Sequence, residues 1–220
     1  MNRKLMFVLK EIKKYLFMVF KGLLEIIFPQ SYKCIICKEE EAEGGLCYKC
    51  KNKIVSPLDD ELCIGYYKGP LKELILKLKY KHDFNAGIIL AELIEEKLKN
   101  LKGEYYLTFI PISKKTLRER GFNQCEYIAR EISFRIGYPV IDTLEKIRET
   151  KIQKTLTKDE RKTNLIGAFK LKDSVDVVGK KIILIDDVIT TGATIGEGKK
   201  VLKENGALEI KILTLAKSHI

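Results

Sequence analysis

The sequence predicts an α/β fold: a mostly parallel sheet flanked by helices, with a small four-cysteine module on its N-terminal side. Three observations predict it. From residue 57 onward, short apolar runs alternate with segments of helical period, the pattern of a sheet covered on both faces. The run Ile182, Ile183, Leu184, Ile185 is continuously apolar, as a central parallel strand buried on both faces must be. Cys34, Cys37, Cys47 and Cys50 fall within seventeen residues as C-x2-C-x9-C-x2-C, in a stretch too short for a core of its own.

Three zones follow in order. In residues 1–30, Leu5, Leu9, Ile12, Leu16, Val19, Leu23 and Ile26 recur at spacings of four and three, one stripe of an amphipathic helix that ends at Pro29. The reading adopted is a helix laid on the chain's own core or on a partner. The alternative is a basic helix in peripheral contact with a membrane surface, because lysines fill much of the remainder. Charges at Arg3, Lys4, Lys10, Glu11, Lys13, Lys14, Lys21 and Glu25 leave neither a signal-peptide core nor about 20 uninterrupted apolar residues, so a cytoplasmic location is expected.

Residues 31–56 hold the cysteine quartet. Residues 57–220 carry the alternating elements. One helix has Leu71, Leu74, Ile75 and Leu78 on one face, and a second runs through Ile88 to Leu98. A strand at Tyr105 to Ile110 and a helix at about Asn123 to Ile136 come next. A long polar segment from Asp142 to Asn164 precedes strands at Ala168 to Leu171 and Lys181 to Ile185. A helix from Thr194 to Asn205 and a strand from Leu208 to Leu215 complete the chain.

Forty-one Lys plus Arg against 30 Asp plus Glu give a net charge of +11 and a pI near 9.2. That balance favours a polyanionic partner such as nucleic acid, a phosphorylated metabolite or an anionic surface, and a solvated lysine-rich surface explains it equally well. Hydrolases of the Ser-His-Asp or Cys-His type are disfavoured, since the two histidines, His82 and His219, sit in no nucleophile motif. In a reducing cytosol paired CxxC reads as metal rather than disulfide. Two close thiolate pairs with a nine-residue spacer can close a tetrahedral site with no open position, which argues for structural zinc over catalytic zinc, redox or iron–sulfur use. Cys63 and Cys125 lack partners at such spacing and read as small apolar residues.

The densest chemistry lies in "IILIDDVITTGAT". Ligands of open α/β sheets collect beyond the carboxyl ends of the strands, and Asp186 and Asp187 emerge there. Gly192 lets backbone N–H groups turn inward, and Thr190, Thr191 and Thr194 offer hydroxyls at a helix start, so the loop with Ala193 forms a monophosphate cradle. Two carboxylates beside a phosphate need another occupant, and a vicinal diol supplies two donors; a sugar phosphate satisfies both halves. There is no G-x4-G-K-[ST], and Gly192, Gly196 and Gly198 do not make G-x-G-x-x-G. A second basic stretch, "FIPISKKTLRERGFNQ", concentrates Lys114, Lys115, Arg118 and Arg120 where a pyrophosphate would find cations, although such loops are usually just solvated.

"IILIDDVITTGAT" resembles the phosphoribosyl-pyrophosphate (PRPP) loop of the type I phosphoribosyltransferases. The resemblance implies a type I phosphoribosyltransferase-like sheet in which Asp186 and Asp187 hold the ribose hydroxyls and Thr190, Thr191, Gly192, Ala193 and Thr194 bind the 5′-phosphate. It also implies Mg²⁺ carried mainly on substrate oxygens, and a loop that closes over PRPP, for which "EKIRETKIQKTLTKDERKTNLIGAF" is placed. Lys114 and Lys115 would then bind the pyrophosphate and Arg120 would act in catalysis.

A four-cysteine module followed by such a domain resembles the ComF family of competence proteins. The likeness runs through "FPQSYKCIIC", "LCYKC", "YYKGPLKELILKLKY", "PISKKTLRERGFNQ" and "ILIDDVITTGAT". The family's R-G-F-N-Q pattern corresponds to Arg120, Gly121, Phe122, Asn123 and Gln124. Its R-x-T-x-x-Q…R-x-x-N pattern corresponds to Arg148, Thr150, Gln153, Arg161 and Asn164. The resemblance implies a part in DNA uptake for natural transformation, with single-stranded DNA and a competence helicase as partners. The alternative is a nucleic-acid-binding factor that uses PRPP as a ligand or regulator without turnover. Tyr66, Tyr67 and Phe122 are candidate base-stacking aromatics for that alternative.

Overall fold

The computed structural model describes residues 33–42, 45–58, 62–148 and 165–218, with isolated helical positions at Tyr15, Met18, Val19, Gly22 and Leu23. The elements are α1 (Tyr48–Lys51), β1 (Cys63–Tyr66), α2 (Gly69–Lys81), α3 (Phe84–Leu98), β2 (Tyr106–Phe109), α4 (Lys114–Arg120), α5 (Gln124–Ile136), β3 (Leu144–Lys146), β4 (Phe169–Leu171), β5 (Lys181–Ile189), α6 (Ala193–Glu204) and β6 (Glu209–Lys217).

The main sheet is parallel throughout, in the order β1-β6-β5-β2. A parallel bridge from Leu107 to Val140 continues it beyond β2. β5 lies inside the sheet, and its apolar run serves two cores at once. Ile183 and Ile185 join the layer formed with α2, α3 and α5, whereas Ile182 and Leu184 join the layer formed with α6 and the β3–β4 pair. All four are fully buried. Burial of this kind contributes about 2 kcal/mol per side chain, which fixes β5 in register. β3 and β4 form a separate antiparallel pair whose connecting segment, 149–164, lies outside the described residues.

Helix packing follows the sequence. α2 buries Leu71, Leu74, Ile75 and Leu78 as their spacing requires, and Pro70 occupies its first turn, where a missing N–H costs nothing. α3 meets α5 closely at Gly87, where an added Cβ would stand 2.4 Å from the Tyr127 ring. Gly198 plays the same part under α6, since a Cβ there would approach Ile110 to 2.9 Å.

Several boundaries differ from expectation. β5 runs to Ile189 rather than Ile185, because β6 pairs with it through Ile189↔Lys217 and holds the acids in extended backbone. β1, α1 and α4 are additional elements, and β3 falls within the segment read as polar, with Leu144 buried as its anchor. Of the N-terminal stripe, Val19 and Leu23 are described and are 61% and 52% exposed, so these two do not rest on the chain's own core. The rest of that stripe lies outside the described residues. Among the described residues no helix is long and apolar enough to cross a membrane.

Candidate functional site

The turn "RGFNQ" is built to present side chains. Ser113 caps α4 by accepting the Thr116 N–H at 3.1 Å, and Gly121 ends α4 at φ +78°, a left-handed backbone that glycine adopts without strain. Asn123 then opens α5 by accepting the Cys125 N–H at 2.9 Å, and its amide donates to the Ile110 carbonyl at 3.0 Å, which ties the turn to the end of β2. Arg120 therefore closes one helix and Gln124 begins the next.

Both residues reach toward β5. The Arg120 guanidinium donates to the Gln124 side-chain carbonyl, and the Gln124 amide donates to Asp187 Oδ2. The last turn of α2 meets the same chain of contacts at three points. Lys79 Nζ lies 2.6 Å from Asp187 Oδ2, the Tyr80 ring lies 5.4 Å from the Arg120 guanidinium, and His82 Nε2–H donates to the Arg120 carbonyl at 2.8 Å.

Alternation along β5 would send Asp186 and Asp187 to opposite faces. β2, however, ends opposite Ile185, so β5 has no β2 neighbour beside the acids. The two carboxylates and the Cys125 thiol come together there, one ligand atom of each lying within 4.8 Å of the others. Burial, then the neighbouring Asp187 charge, push the Asp186 carboxyl up to about 7, against the opposing Asp187 N–H and Lys79. Burial lowers Lys79, but Asp187 outweighs it and raises the ammonium above its usual range. Burial holds Cys125 well above the ordinary thiol range, so it is a neutral neighbour of the acids.

Beyond β5, Thr190, Thr191 and Gly192 make a half-buried turn and α6 begins at Ala193, with Thr194 in its first turn. Gly192 has φ +75°, and among the described residues, its chain neighbours apart, no atom lies within 4 Å of where its Cβ would be, so they leave space above the loop. The Ala193 N–H donates to Thr191 Oγ1 at 3.4 Å. These features place a helix N-terminus, hydroxyls and open space beside the acid pair. Lys114 and Lys115 are exposed in the first turn of α4, and Lys115 faces Glu119 at 4.0 Å rather than the acids. Arg148 donates to the Ile166 carbonyl at 2.9 Å, while Thr150, Gln153, Arg161 and Asn164 lie outside the described residues.

Sequence reasoning missed the roles of Lys79, Gln124 and Cys125 around the acids. Gln124 stood in a motif without an assigned contact. Lys79 lies four residues after Ile75 and eight after Leu71, at the edge of the buried face of α2, and that spacing was the available signal. Tyr66 and Tyr67 are half-buried, and Phe122 packs against His82 and Phe84, so none stands out as a free stacking platform.

The cysteine quartet forms its own small cluster with Ala42, Ile36 and Leu46. All four thiols gather within 4.8 Å, with Cys37 Sγ 3.8 Å from Cys47 Sγ. A tetrahedral thiolate site with Zn–S bonds of about 2.3 Å has edges of about 3.8 Å, so the donor set fits zinc. Burial opposes ionisation of Cys34, yet backbone N–H groups of Cys47, Cys37 and Ile36 bring it down to about 6. N–H groups aimed at a sulfur suit a metal-bound thiolate. The module docks on α3, where Gly45 lies against Ile89 and Lys51 pairs with Glu96 at 2.6 Å.

The sequence profile of the phosphoribosyl transferase domain matches residues 84–220. The chain belongs to the phosphoribosyltransferase domain family. Competence protein ComFC of Streptococcus pneumoniae is 36% identical to it over 151 residues, which cover 69% of this chain and 65% of that one. The chain thus spans just under two thirds of the pneumococcal relative's length. Competence protein F of Haemophilus influenzae is 28% identical over 86% of this chain and 98% of its own. DNA utilization protein YhgH of Salmonella typhimurium is 27% identical over 78% of each. These relatives bear out the resemblance to the ComF family. Among solved structures, a Staphylococcus aureus hypoxanthine phosphoribosyltransferase aligns over 60% of this chain and 62% of its own, at 13% identity and a TM-score of 0.39.

Proposed function

We propose that the chain binds PRPP with Mg²⁺ at Asp186, Asp187 and the Thr190–Thr194 loop, transfers its phosphoribosyl group to an acceptor, and acts in DNA uptake. The observation that carries this reading is the convergence of two part-buried acids, a glycine-opened helix start and a tethered arginine at one end of a parallel sheet. The acids would accept the ribose 2′- and 3′-hydroxyls, and the loop amides and threonine hydroxyls would hold the 5′-phosphate.

In the transfer, the bond from ribose C1 to the pyrophosphate oxygen breaks and its electron pair leaves with pyrophosphate. A bond from C1 to the acceptor forms, and the acceptor's proton passes to solvent or to a base. The oxocarbenium-like state needs cations near the departing oxygens, a part that Arg120 would take and that Lys114 and Lys115 would join on engaging ligand. Mg²⁺ would supply charge neutralisation on the substrate's own oxygens. Zinc at Cys34, Cys37, Cys47 and Cys50 would have a structural part only, since four thiolates leave no open position.

A second reading, PRPP as a regulator of a nucleic-acid-binding factor, is favoured by the +11 charge and by the surface of the cysteine module. There Tyr48 is 78% exposed beside the exposed Lys49 and Lys53. Calorimetric titration of PRPP with Mg²⁺ into wild type and Asp186→Asn/Asp187→Asn tests both, with pyrophosphate release followed with and without single-stranded DNA. Binding that the double variant loses, together with acceptor-dependent release, supports the transferase. Binding without release supports the second reading, and no binding to wild type overturns both.

A further inference from the structure

The acid pair is asymmetric, and the asymmetry comes from α2. Lys79 is one of two largely buried lysines in that helix's last turns, with a side chain 14% exposed and Nζ 2.6 Å from an Asp187 carboxylate that is itself 13% exposed. Lys81, two residues on, is exposed, and Lys77 faces Asp83. Sequestering an ammonium and a carboxylate from water carries a desolvation cost that their attraction seldom exceeds, so such a pair is weak evidence of a stabilising device. Its geometry fits a positioning role better. Among the described residues the two donors to the Asp187 side chain, the Lys79 ammonium and the Gln124 amide, land on Oδ2, which leaves Oδ1 as the oxygen for an incoming hydroxyl. Gln124 is itself held by Arg120, and Arg120 by Tyr80 and His82 of the same helix turn.

We propose that Lys79 is a positioning residue for the ribose half of the site: it anchors Asp187 through Oδ2 and turns Oδ1 toward the sugar hydroxyls. This rests on the PRPP reading above and adds a residue that the acid-and-loop motif does not contain. The role is assigned to the ribose end, because the Lys79 ammonium pairs with Asp187, whereas Lys114 and Lys115 project from the first turn of α4. Removing Lys79 should therefore weaken ligands that present a ribose diol and spare those that present only pyrophosphate. A general loss of packing would weaken both together.

The test titrates three probes, PRPP with Mg²⁺, ribose 5-phosphate, and pyrophosphate with Mg²⁺, into wild type, Lys79→Met and Lys79→Arg, with melting temperatures taken on the same samples. Lys79→Met should lose at least about tenfold in affinity for PRPP and ribose 5-phosphate while holding pyrophosphate within about twofold. Lys79→Arg, which keeps the cation, should recover most of the loss. Equal loss of all three probes, or PRPP affinity unchanged in Lys79→Met, overturns the positioning role. If Lys79→Met does not fold, the arginine variant carries the test: a loss of ribose 5-phosphate binding equal to its loss of pyrophosphate binding overturns the role. Failure of wild type to bind PRPP is a separate result, and it defeats the underlying reading of the site rather than the part assigned to Lys79.

Discussion

Asp187 donates its backbone N–H to the Asp186 carboxylate at 2.9 Å while its own carboxylate is held by Lys79, so two adjacent acids live in different electrostatic worlds. Burial and the Asp187 charge raise Asp186 to about 7, whereas an unfolded aspartate titrates near 4. Between those values the folded chain holds a proton that the unfolded chain has released. Stability from this group therefore falls as pH rises from about 4 to about 7 and stays reduced above. Asp186→Asn has no charge to bury, so it should melt several degrees above wild type at pH 8, with the gain shrinking toward pH 4, while PRPP binding is lost. Thermal melts across that range decide it. A gain of the same size at every pH would show that burial of charge is not the cause.

Gly192 bears on the same site through backbone rather than charge. Its φ of +75° disfavours any side chain, yet among the described residues none beyond its chain neighbours stands within 4 Å of the added atom. Gly192→Ala should thus cost only about 1 kcal/mol of stability, from strain alone. The methyl group would project where the 5′-phosphate is to sit, so PRPP affinity should fall by at least about tenfold, far more than stability does. Melting temperature and calorimetry on one sample separate the two effects. An affinity loss no greater than the stability loss would remove the loop from the phosphate site.

How much of this was legible depended on whether local pattern or distant pairing set the outcome. The run Ile182–Ile185 announced a central strand because both faces are buried, and the cysteine spacing announced a closed cluster because ligand geometry is local. The extension of β5 through Asp186–Ile189 was not legible, since two acids suggest a strand end unless β6 is known to pair alongside them. β1, with the short sequence Cys63–Tyr66, had neither length nor alternation and owes its state to pairing with β6. α4 did carry signals, a serine cap and a terminal glycine, which its five charged side chains, Lys114, Lys115, Arg118, Glu119 and Arg120, obscured. Lys79 looked like one more basic residue among 41, and only the fold brings it to Asp187.

Helix packing supplies a prediction independent of function. A Cβ at Gly87 would lie 2.4 Å from one Tyr127 ring carbon and 2.9 Å from another, with Leu78 at 3.2 Å behind it. The ring already packs against Phe84 at 5.1 Å between centroids, so it has little freedom to move aside. Gly87→Ala should therefore destabilise by about 1–3 kcal/mol, although alanine is the better helix former in isolation by nearly 1 kcal/mol. For a chain of this size that is a fall of several degrees in melting temperature. A variant as stable as wild type would show that α3 and α5 do not cross this closely.

The cysteine module makes the last prediction, because its thiols are separated by environment from the two remaining ones. The quartet forms a cluster of its own, whereas Cys63 and Cys125 are 0% and 2% exposed within the main core. If the quartet binds zinc, the purified chain should carry one zinc per chain, and its four thiols should resist a thiol reagent until a strong chelator is added. Four thiols should then react, while Cys63 and Cys125 stay silent until denaturant opens the core. The melting temperature should fall, since Ile35, Ile36 and Leu46 of the module pack against the main core. PRPP affinity should persist, because the acids and their partners lie on β5, α2, α4 and α5. Release of zinc accompanied by reaction of all six thiols would mean that the module is an inseparable part of the main core rather than an appendage docked on α3.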